Sequence, residues 1–359
     1  MSIFLCVAAF LVVYIMVWSV GNNQKAYDKE KTYLAAACFV LTLLIGFRHN
    51  WPDEGVYVEA FRRSPLCFEF NWSNIVPFGY AEKGYLFLAS IIKTVWDNST
   101  VYLLTMGGIS MYLLYKSLDR YCIFPLLGLC DYMGRFMLNR DFTQMRSSLA
   151  ILMIIYAIHF IQERKLVPYM LVILLAYQFH HMALLGVPLY FLYKIPLGRK
   201  SLIAGLVLAF VLSQTLAGSI EGFVDQYSED LQYTTYTQGG YVEQALGLRN
   251  PMIYFQIAIL LLFSHYEKTL RQELKYFDLY RWAYFYSTLF LIVFCNYTAL
   301  SGRTSTMFAT VEMFMLPFII HQLKGWKRNA FMMMLGVVFT YFFWNKLMNA
   351  YMMSGGAIF

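Results

Sequence analysis

The chain has 359 residues, of which 59% are hydrophobic and only 14% charged, and its mean hydropathy is +0.51. Soluble domains carry about a quarter charged residues, so this balance excludes an ordinary soluble protein and points to an integral membrane protein. The formal net charge of +7 is read as cytoplasmic Lys and Arg that orient the chain, not as a nucleic-acid surface.

The first apolar segment, 2–20, follows no basic stretch and precedes no small-residue cleavage site, so it reads as a retained first helix. Apolar segments follow at 32–47, 84–96, 99–115, 121–138, 146–161, 167–180, 182–193, 201–217, 251–266, 279–299, 304–323 and 330–352. Short basic loops separate many of them. These carry Lys25, Lys29 and Lys31; Lys116 and Arg120; Arg164 and Lys165; Lys194, Arg199 and Lys200; Lys268, Arg271 and Lys275; and Lys324, Lys327 and Arg328. The positive-inside rule puts them in the cytoplasm. Two long connections, 48–83 and 218–250, are rich in acids, aromatics and glycine and go outside. The second sets Glu221, Asp225, Glu229, Asp230 and Glu243 against Arg249 alone. Of the six cysteines, only Cys67 lies in a long loop, and no disulfide or zinc framework is legible.

Alternation of sides holds from the C-terminus back to Lys116 and then fails by one crossing. Segment 84–96 would make a helix of about 20 Å, too short for a hydrocarbon core of about 30 Å. It therefore reads as a re-entrant or interfacial helix on the outer side; the alternative is that 121–138, with Asp131 and Arg135, fails to cross. Either choice leaves 139–146 outside. Segments 167–180 and 182–193 are short and meet at His180-His181, which reads as a hairpin turning below the outer surface. The expectation is an all-α transmembrane helix bundle of about twelve crossings plus the short helix, one domain over 1–359.

With that topology, the ionisable residues outside the basic loops gather on one side: Arg48, His49, Asp53, Glu54, Glu82, Arg135, Arg140, Asp141, Arg146, His180, His181, Arg249 and Arg303. Arginines at an outer membrane surface, with acids and histidines near, suit a lipid-linked anionic phosphate group. Each has a plainer reading. Arg140 and Asp141 could be an interfacial pair, Asp53-Glu54 a solvated turn after Pro52, and either histidine a core residue held by carbonyls. Arg303, in a very short loop Ser301-Gly302-Arg303-Thr304, could be an interface anchor. Arg146 stands against the apolar run 149–156, where a charge is costly and usually has a task. Glu312, inside a helix, needs a partner. There is no phosphate-cradling Gly-rich loop, His-x-x-x-His, Gly-x-Ser-x-Gly or Asp-x-Asp, which argues against nucleotide-dependent chemistry.

The order Gly46-Phe47-Arg48, Asp53, Tyr57 and Phe61, then Glu82-Lys83-Gly84-Tyr85, then Arg146 with Leu149-Ala150, then Phe179-His180-His181-Met182-Ala183-Leu184, and Arg303 ahead of an apolar helix resembles the EpsG family. These are Wzy-type polymerases of bacterial exopolysaccharide, capsule and O-antigen. Where the familiar third motif is Arg-Gln, this chain has Arg146-Ser147, so the equivalent arginine is Arg146 or Arg140. The resemblance implies a multi-pass glycosyltransferase of the GT-C type in the bacterial inner membrane. Its donor and acceptor would be undecaprenyl-diphosphate-linked repeat units at the periplasmic face, with no metal or nucleotide cofactor and with a flippase and a chain-length regulator as partners. Asp53, Arg146, His180 and Arg140 are then the catalytic candidates, with the base open among Asp53, Glu54, His180 and His181. Arg48, Tyr57, Glu82, Tyr85, His181, Arg249 and Arg303 are the substrate-binding candidates, and Trp72 could stack on a sugar. An O-antigen ligase, a lipid-linked oligosaccharide flippase and a membrane acyltransferase are the rival readings.

Overall fold

The computed structural model describes residues 3–73, 82–215 and 246–355. Most of the connection 218–250, including Glu221, Asp225, Glu229, Asp230 and Glu243, lies outside the described residues, as does 74–81. The described residues are helical with no strand and fall into two compact units, Met1–Val187 with Ile320–Phe359 (unit 1) and Pro188–Ile319 (unit 2).

Unit 1 begins with α1 (Ile3–Asn22), the short α2 (Gln24–Tyr27), α3 (Glu30–Gly46) and α4 (Glu54–Arg63). Then come α5 (Lys83–Val95), α6 (Ser99–Tyr121), α7 (Pro125–Tyr132), a π-helical turn Met133–Met137 and α8 (Leu138–Arg140). After a turn follow α9 (Met145–Gln162), α10 (Leu166–Tyr177) and a 3-10 helix His181–Gly186. Unit 2 holds α11 (Val187–Leu192), α12 (Arg199–Thr215), α13 (Pro251–His265), α14 (Glu267–Glu273), α15 (Phe277–Val293), α16 (Thr298–Ala309) and most of α17 (Glu312–Gln322). The last helix, α18 (Gly325–Met353), returns to unit 1.

Among the described residues, three helices are long and apolar enough to cross a membrane: Phe4–Asn22, Met145–Gln162 and Gly325–Met353. A fourth candidate is the pair Leu300–Ala309 and Glu312–Gln322, bent by 50°. At the bend, Thr310 donates its hydroxyl to the Thr306 carbonyl at 3.0 Å. α9 is apolar all round and 72% of its span is buried, against 28% for α1 and 33% for α18. It is an inner helix of unit 1, as a stripe-less apolar helix should be.

Helices surrounded by lipid gain little from burial alone and rely on close packing. Small residues supply it here. Gly46 and Gly107 let α3 and α6 interdigitate, Gly46 against Leu104 and Gly107 against Ile45. Gly336 makes room for the Tyr14 ring between α18 and α1, where Phe10 stacks on Phe343 at 4.7 Å. Buried Glu30 caps α7 by accepting from the Leu126 N–H at 2.9 Å, one of the orphan donors of a helix start.

Several expectations are corrected. The connection 48–83 contains a helix, α4, because Tyr57, Ala60 and Phe61 recur at helical spacing and bury one face. Segment 121–138 is not one regular helix but α7, the π turn and α8, buried at nearly every position. Arg140 and Asp141 are interior residues, 3% and 1% exposed, not an interfacial surface pair. Arg303 is not in a short loop: the break after α15 falls at 294–297 and α16 covers Arg303. Segment 84–96 is the short helix expected, and the turn at His180-His181 is where it was expected.

Candidate active site

Four stretches of unit 1 converge: the turn after α3, the face of α4, the start of α5 and the start of α9. α3 ends at Gly46, and the chain reverses through Asn50 (φ 55°) and Asp53 (φ 64°). Asn and Asp are the side-chain-bearing residues that tolerate this left-handed region. The reversal lets the Glu54 carboxylate accept from the Trp51 N–H at 3.0 Å. Trp51 is buried, its Nε1–H donating to Thr143 Oγ1 at 2.9 Å and its ring 4.9 Å from Phe142. This anchors the turn to the segment just before α9.

Arg48 is 1% exposed. Its Nη1 donates to the Ile45 carbonyl at 2.7 Å, its Nη2 to Met145 Sδ at 3.0 Å, and its guanidinium lies 6.0 Å from the Phe142 ring centroid. Burial pulls its pKa below the ordinary arginine value, opposed by the Glu54 carboxylate, but a guanidinium keeps its proton. Arg48 is a fixed internal charge at the start of α9.

α4 presents Tyr57 and Phe61 inward. Phe61 stacks on Tyr102 of α6 at 4.6 Å, and Tyr57 meets Tyr85 edge-on at 6.0 Å. The Tyr85 and Tyr102 hydroxyls are hydrogen-bonded to each other. Burial pushes the Tyr57 phenol pKa up, while Arg146 pulls it down through charge and a hydrogen bond; nearby Asp53 pushes it up. Tyr57 therefore stays a neutral phenol that accepts from Arg146.

The start of α5 explains Glu82-Lys83-Gly84-Tyr85. The Tyr85 N–H donates to the Gln178 carbonyl at 3.1 Å. That contact requires Gly84, since a Cβ there would stand 3.0 Å from the same carbonyl oxygen and overlap the Gln178 side chain. Lys83 donates to the Trp72 carbonyl at 2.7 Å. Glu82, 8% exposed, accepts from Arg146 Nη1 in a close ion pair. Arg146, 17% exposed at the side chain, is thus gripped by Glu82 and Tyr57 above the Tyr85 ring, whose centroid is 6.0 Å away. A guanidinium so oriented, with part of its surface accessible, presents a planar fork suited to two oxygens of an anion such as phosphate.

Gln178 also ties this site to the paired histidines. His180 sits just past α10, its backbone N–H on the Ala176 carbonyl at 2.9 Å. Its Nδ1 accepts from the Met182 N–H at 3.2 Å, which assigns the ring proton of neutral His180 to Nε2. His181 is exposed and stacks on Tyr177 at 4.8 Å. Asp53 is exposed at the start of α4. Arg140 joins a different cluster: it lies 4.3 Å from the Phe136 centroid and hydrogen-bonds Tyr132. Arg249 is exposed in a 3-10 turn and Arg303 half-buried on α16, both within unit 2. Among the described residues, no group of three or more His, Cys, Asp or Glu side chains is placed to hold a metal ion. Tyr102, Trp51, Met145 and Gln178 belong to the site and carried no sequence signal beyond their neighbours' motifs.

These features define an all-helical membrane protein with an arginine–carboxylate–tyrosine site held at the start of an inner helix. The chain belongs to the EpsG family, whose model matches residues 31–356, and is therefore a membrane enzyme of the Wzy-like polysaccharide polymerase type. No curated protein and no solved structure matches it.

Proposed function

We propose that this enzyme polymerises undecaprenyl-diphosphate-linked oligosaccharide units at the periplasmic face of the bacterial inner membrane, as a GT-C-like bundle of about twelve crossings. The growing glycan leaves its lipid diphosphate and joins the non-reducing sugar of the next lipid-linked unit. One observation carries the reading: Arg146, held by Glu82 and Tyr57 at the start of α9, with Arg48 buried beside Met145.

In the reaction, an acceptor hydroxyl oxygen attacks the anomeric carbon of the donor, and the bond from that carbon to the diphosphate oxygen breaks. The diphosphate leaves with the electron pair. Arg146 binds the developing charge directly and Arg48 adds a fixed positive field behind it, the kind of preorganised donor that stabilises a leaving oxyanion. The hydroxyl proton passes to a base. Asp53, exposed and electrostatically coupled to Tyr57, is the carboxylate suited to this, and His180 Nε2, which carries the proton in the neutral ring, is not an acceptor until that tautomer changes. The donor arrives activated as a diphosphate, so the step itself consumes no nucleotide.

The test compares surface-glycan chain lengths and the lipid-linked pool with and without the protein. A polymerase predicts that single-unit glycan persists while longer chains vanish. Complete loss of glycan from its final acceptor would identify a ligase instead. Accumulation of lipid-linked units in the cytoplasmic leaflet would identify a flippase, and either result overturns the reading.

A further inference from the structure

We propose that Arg135, Arg140 and Lys346 form a second anion site, across α9 from Arg146, which takes a lipid-borne diphosphate headgroup. The three cations close on one ring. Arg140, Arg135 and Lys346 lie 4.3, 5.2 and 5.9 Å from the Phe136 centroid, and Arg135 lies 5.4 Å from Phe342 as well. Arg135 and Arg140 are buried, and Lys346 is half-buried, the one charged residue of α18 beyond its basic first turn. Ionisable residues within membrane segments are costly, and their presence marks a binding path or relay.

The local fold is built to make this gathering. Arg135 and Phe136 belong to a π-helical turn, a device frequent at functional sites. Gly134 lets the backbone of α18 approach: a Cβ there would stand 3.0 Å from both the Phe339 Cβ and its carbonyl oxygen. Phe339, Phe342 and Lys346 follow at i, i+3 and i+7, so one face of α18 brings the lysine to Phe136. Lys346 lies about 32 Å along α18 from Gly325 at 1.5 Å per residue, close to a full hydrocarbon thickness from the basic residues Lys324, Lys327 and Arg328. With those in the cytoplasm, Lys346 reaches the same leaflet as Arg146.

Within 125–141 the two acidic residues, Asp131 and Asp141, stand against Arg135 and Arg140, and Lys346 of α18 adds a third positive charge. Asp141 accepts from Tyr132 at 2.7 Å and from Ser148 at 2.6 Å, and it also interacts electrostatically with Arg140. Ser148 also separates the two sites. Residues 146 and 148 of one helix point about 160° apart, so Arg146 serves the α4–α5 side while Ser148 braces the Asp141–Tyr132–Arg140 side. On the reading given under Proposed function, on which this inference rests, every cycle brings two lipid diphosphates to one leaflet. One leaves the donor and one stays on the acceptor. Two separate cationic sites match two diphosphates.

The test titrates the full-length protein, in phosphatidylethanolamine nanodiscs, with a sugar-free polyprenyl diphosphate and counts bound equivalents by native mass spectrometry. The wild type should bind two, K346M one, and K346R two, with helix content unchanged. Two equivalents on K346M, or K346R as defective as K346M, overturn the second site and leave Phe136 a mere anchor for α18. R146Q separates this inference from the reading beneath it. If R146Q holds two equivalents and K346M one, the second site stands and Arg146 loses its role; the reverse pattern sinks the second site alone. Displacement of the Lys346-dependent equivalent by phosphatidylglycerol or inorganic diphosphate at equal concentration overturns the assignment to a lipid-borne diphosphate.

Discussion

At the start of α9 in unit 1, the polar groups of the site are largely ions: buried Arg48 and Glu82 and half-buried Arg146. Along α15 in unit 2, past buried Arg281 with its Glu267 and Asp278 partners near the helix start, the buried polar groups are mostly hydroxyls and an amide. There Ser287 donates to the Ser305 carbonyl at 2.7 Å, Thr288 to Gln256 Oε1 at 3.2 Å, and Tyr284 to the Glu312 carboxylate at 2.5 Å. The two regions look alike in a hydropathy trace, since both interrupt apolar helices. They differ in what the polar groups face. Ser287, Thr288, Gln256, Ser305 and Glu312 are all at most 1% exposed and bond helix to helix, whereas Arg146 keeps part of its surface accessible and is oriented by two neighbours. Burial of a polar residue is thus not by itself a sign of chemistry; a charge held in orientation with one side open is.

Arg146→Ala should give the largest effect, a loss of polymer formation of about 10²–10³-fold, the scale of removing one transition-state donor. Single-unit glycan should remain on the lipid carrier. Arg146→Lys should behave similarly, because an ammonium cannot keep the planar fork that Glu82 and Tyr57 orient. Ladders of normal length from either variant would remove Arg146 from the mechanism. Glu312→Ala tests the other region. It leaves the Tyr284 hydroxyl buried without its carboxylate, costing about 1.5–3 kcal/mol, read as a lower melting temperature with polymer per folded molecule unchanged. A stable Glu312→Ala protein that cannot polymerise would break the contrast between the units.

Much of the fold is legible in the sequence because periodicity, caps and charge act locally. Asn98 and Asn250 cap α6 and α13 through their side chains, and Pro251 opens α13 at the position its missing N–H allows. What stays hidden is decided at a distance. α4 mixes Arg62, Arg63, Glu54 and Glu59 with its apolar face, so its short stripe does not stand out from a polar loop. The helix over Arg303 is obscured by the turn-forming residues Ser301, Gly302 and Thr304, of which Thr304 here bonds back to its own helix, to the Leu300 carbonyl at 2.7 Å. In the site, Arg146 and Glu82 each stand out in the sequence, but their pairing spans 64 positions, and nothing local reports it. Arg140 and Arg146 read as one set because they are six residues apart, and only the turn between α8 and α9 parts them.

Glu82→Gln gives a smaller effect than removing Arg146. The amide still accepts a hydrogen bond, but the charge-assisted bond is lost, and such bonds are roughly twice as strong as neutral ones. A polymerisation rate about tenfold lower, or about 1.4 kcal/mol, is expected with a near-normal melting temperature. An unchanged rate would mean that Tyr57 alone orients Arg146.

Two glycines of unit 1 set the lower end of the scale and should move in opposite directions. Gly84 abuts Gln178, so Gly84→Ala must push α5 from the end of α10 and strain the Tyr85 N–H bond to the Gln178 carbonyl. Overpacking of this kind costs about 1–3 kcal/mol, and the shift would carry Glu82 away from Arg146. Gly55, in the first turn of α4, has open space where a Cβ would stand, with nothing within 4 Å, and no left-handed backbone. Gly55→Ala should therefore stabilise by about 0.5–1 kcal/mol through helix propensity alone. Melting curves of the two variants measure the difference directly. Equal shifts would show that the junction of the Glu82-Lys83-Gly84-Tyr85 stretch with the histidine turn is loosely packed, and that the grip on Arg146 does not depend on it.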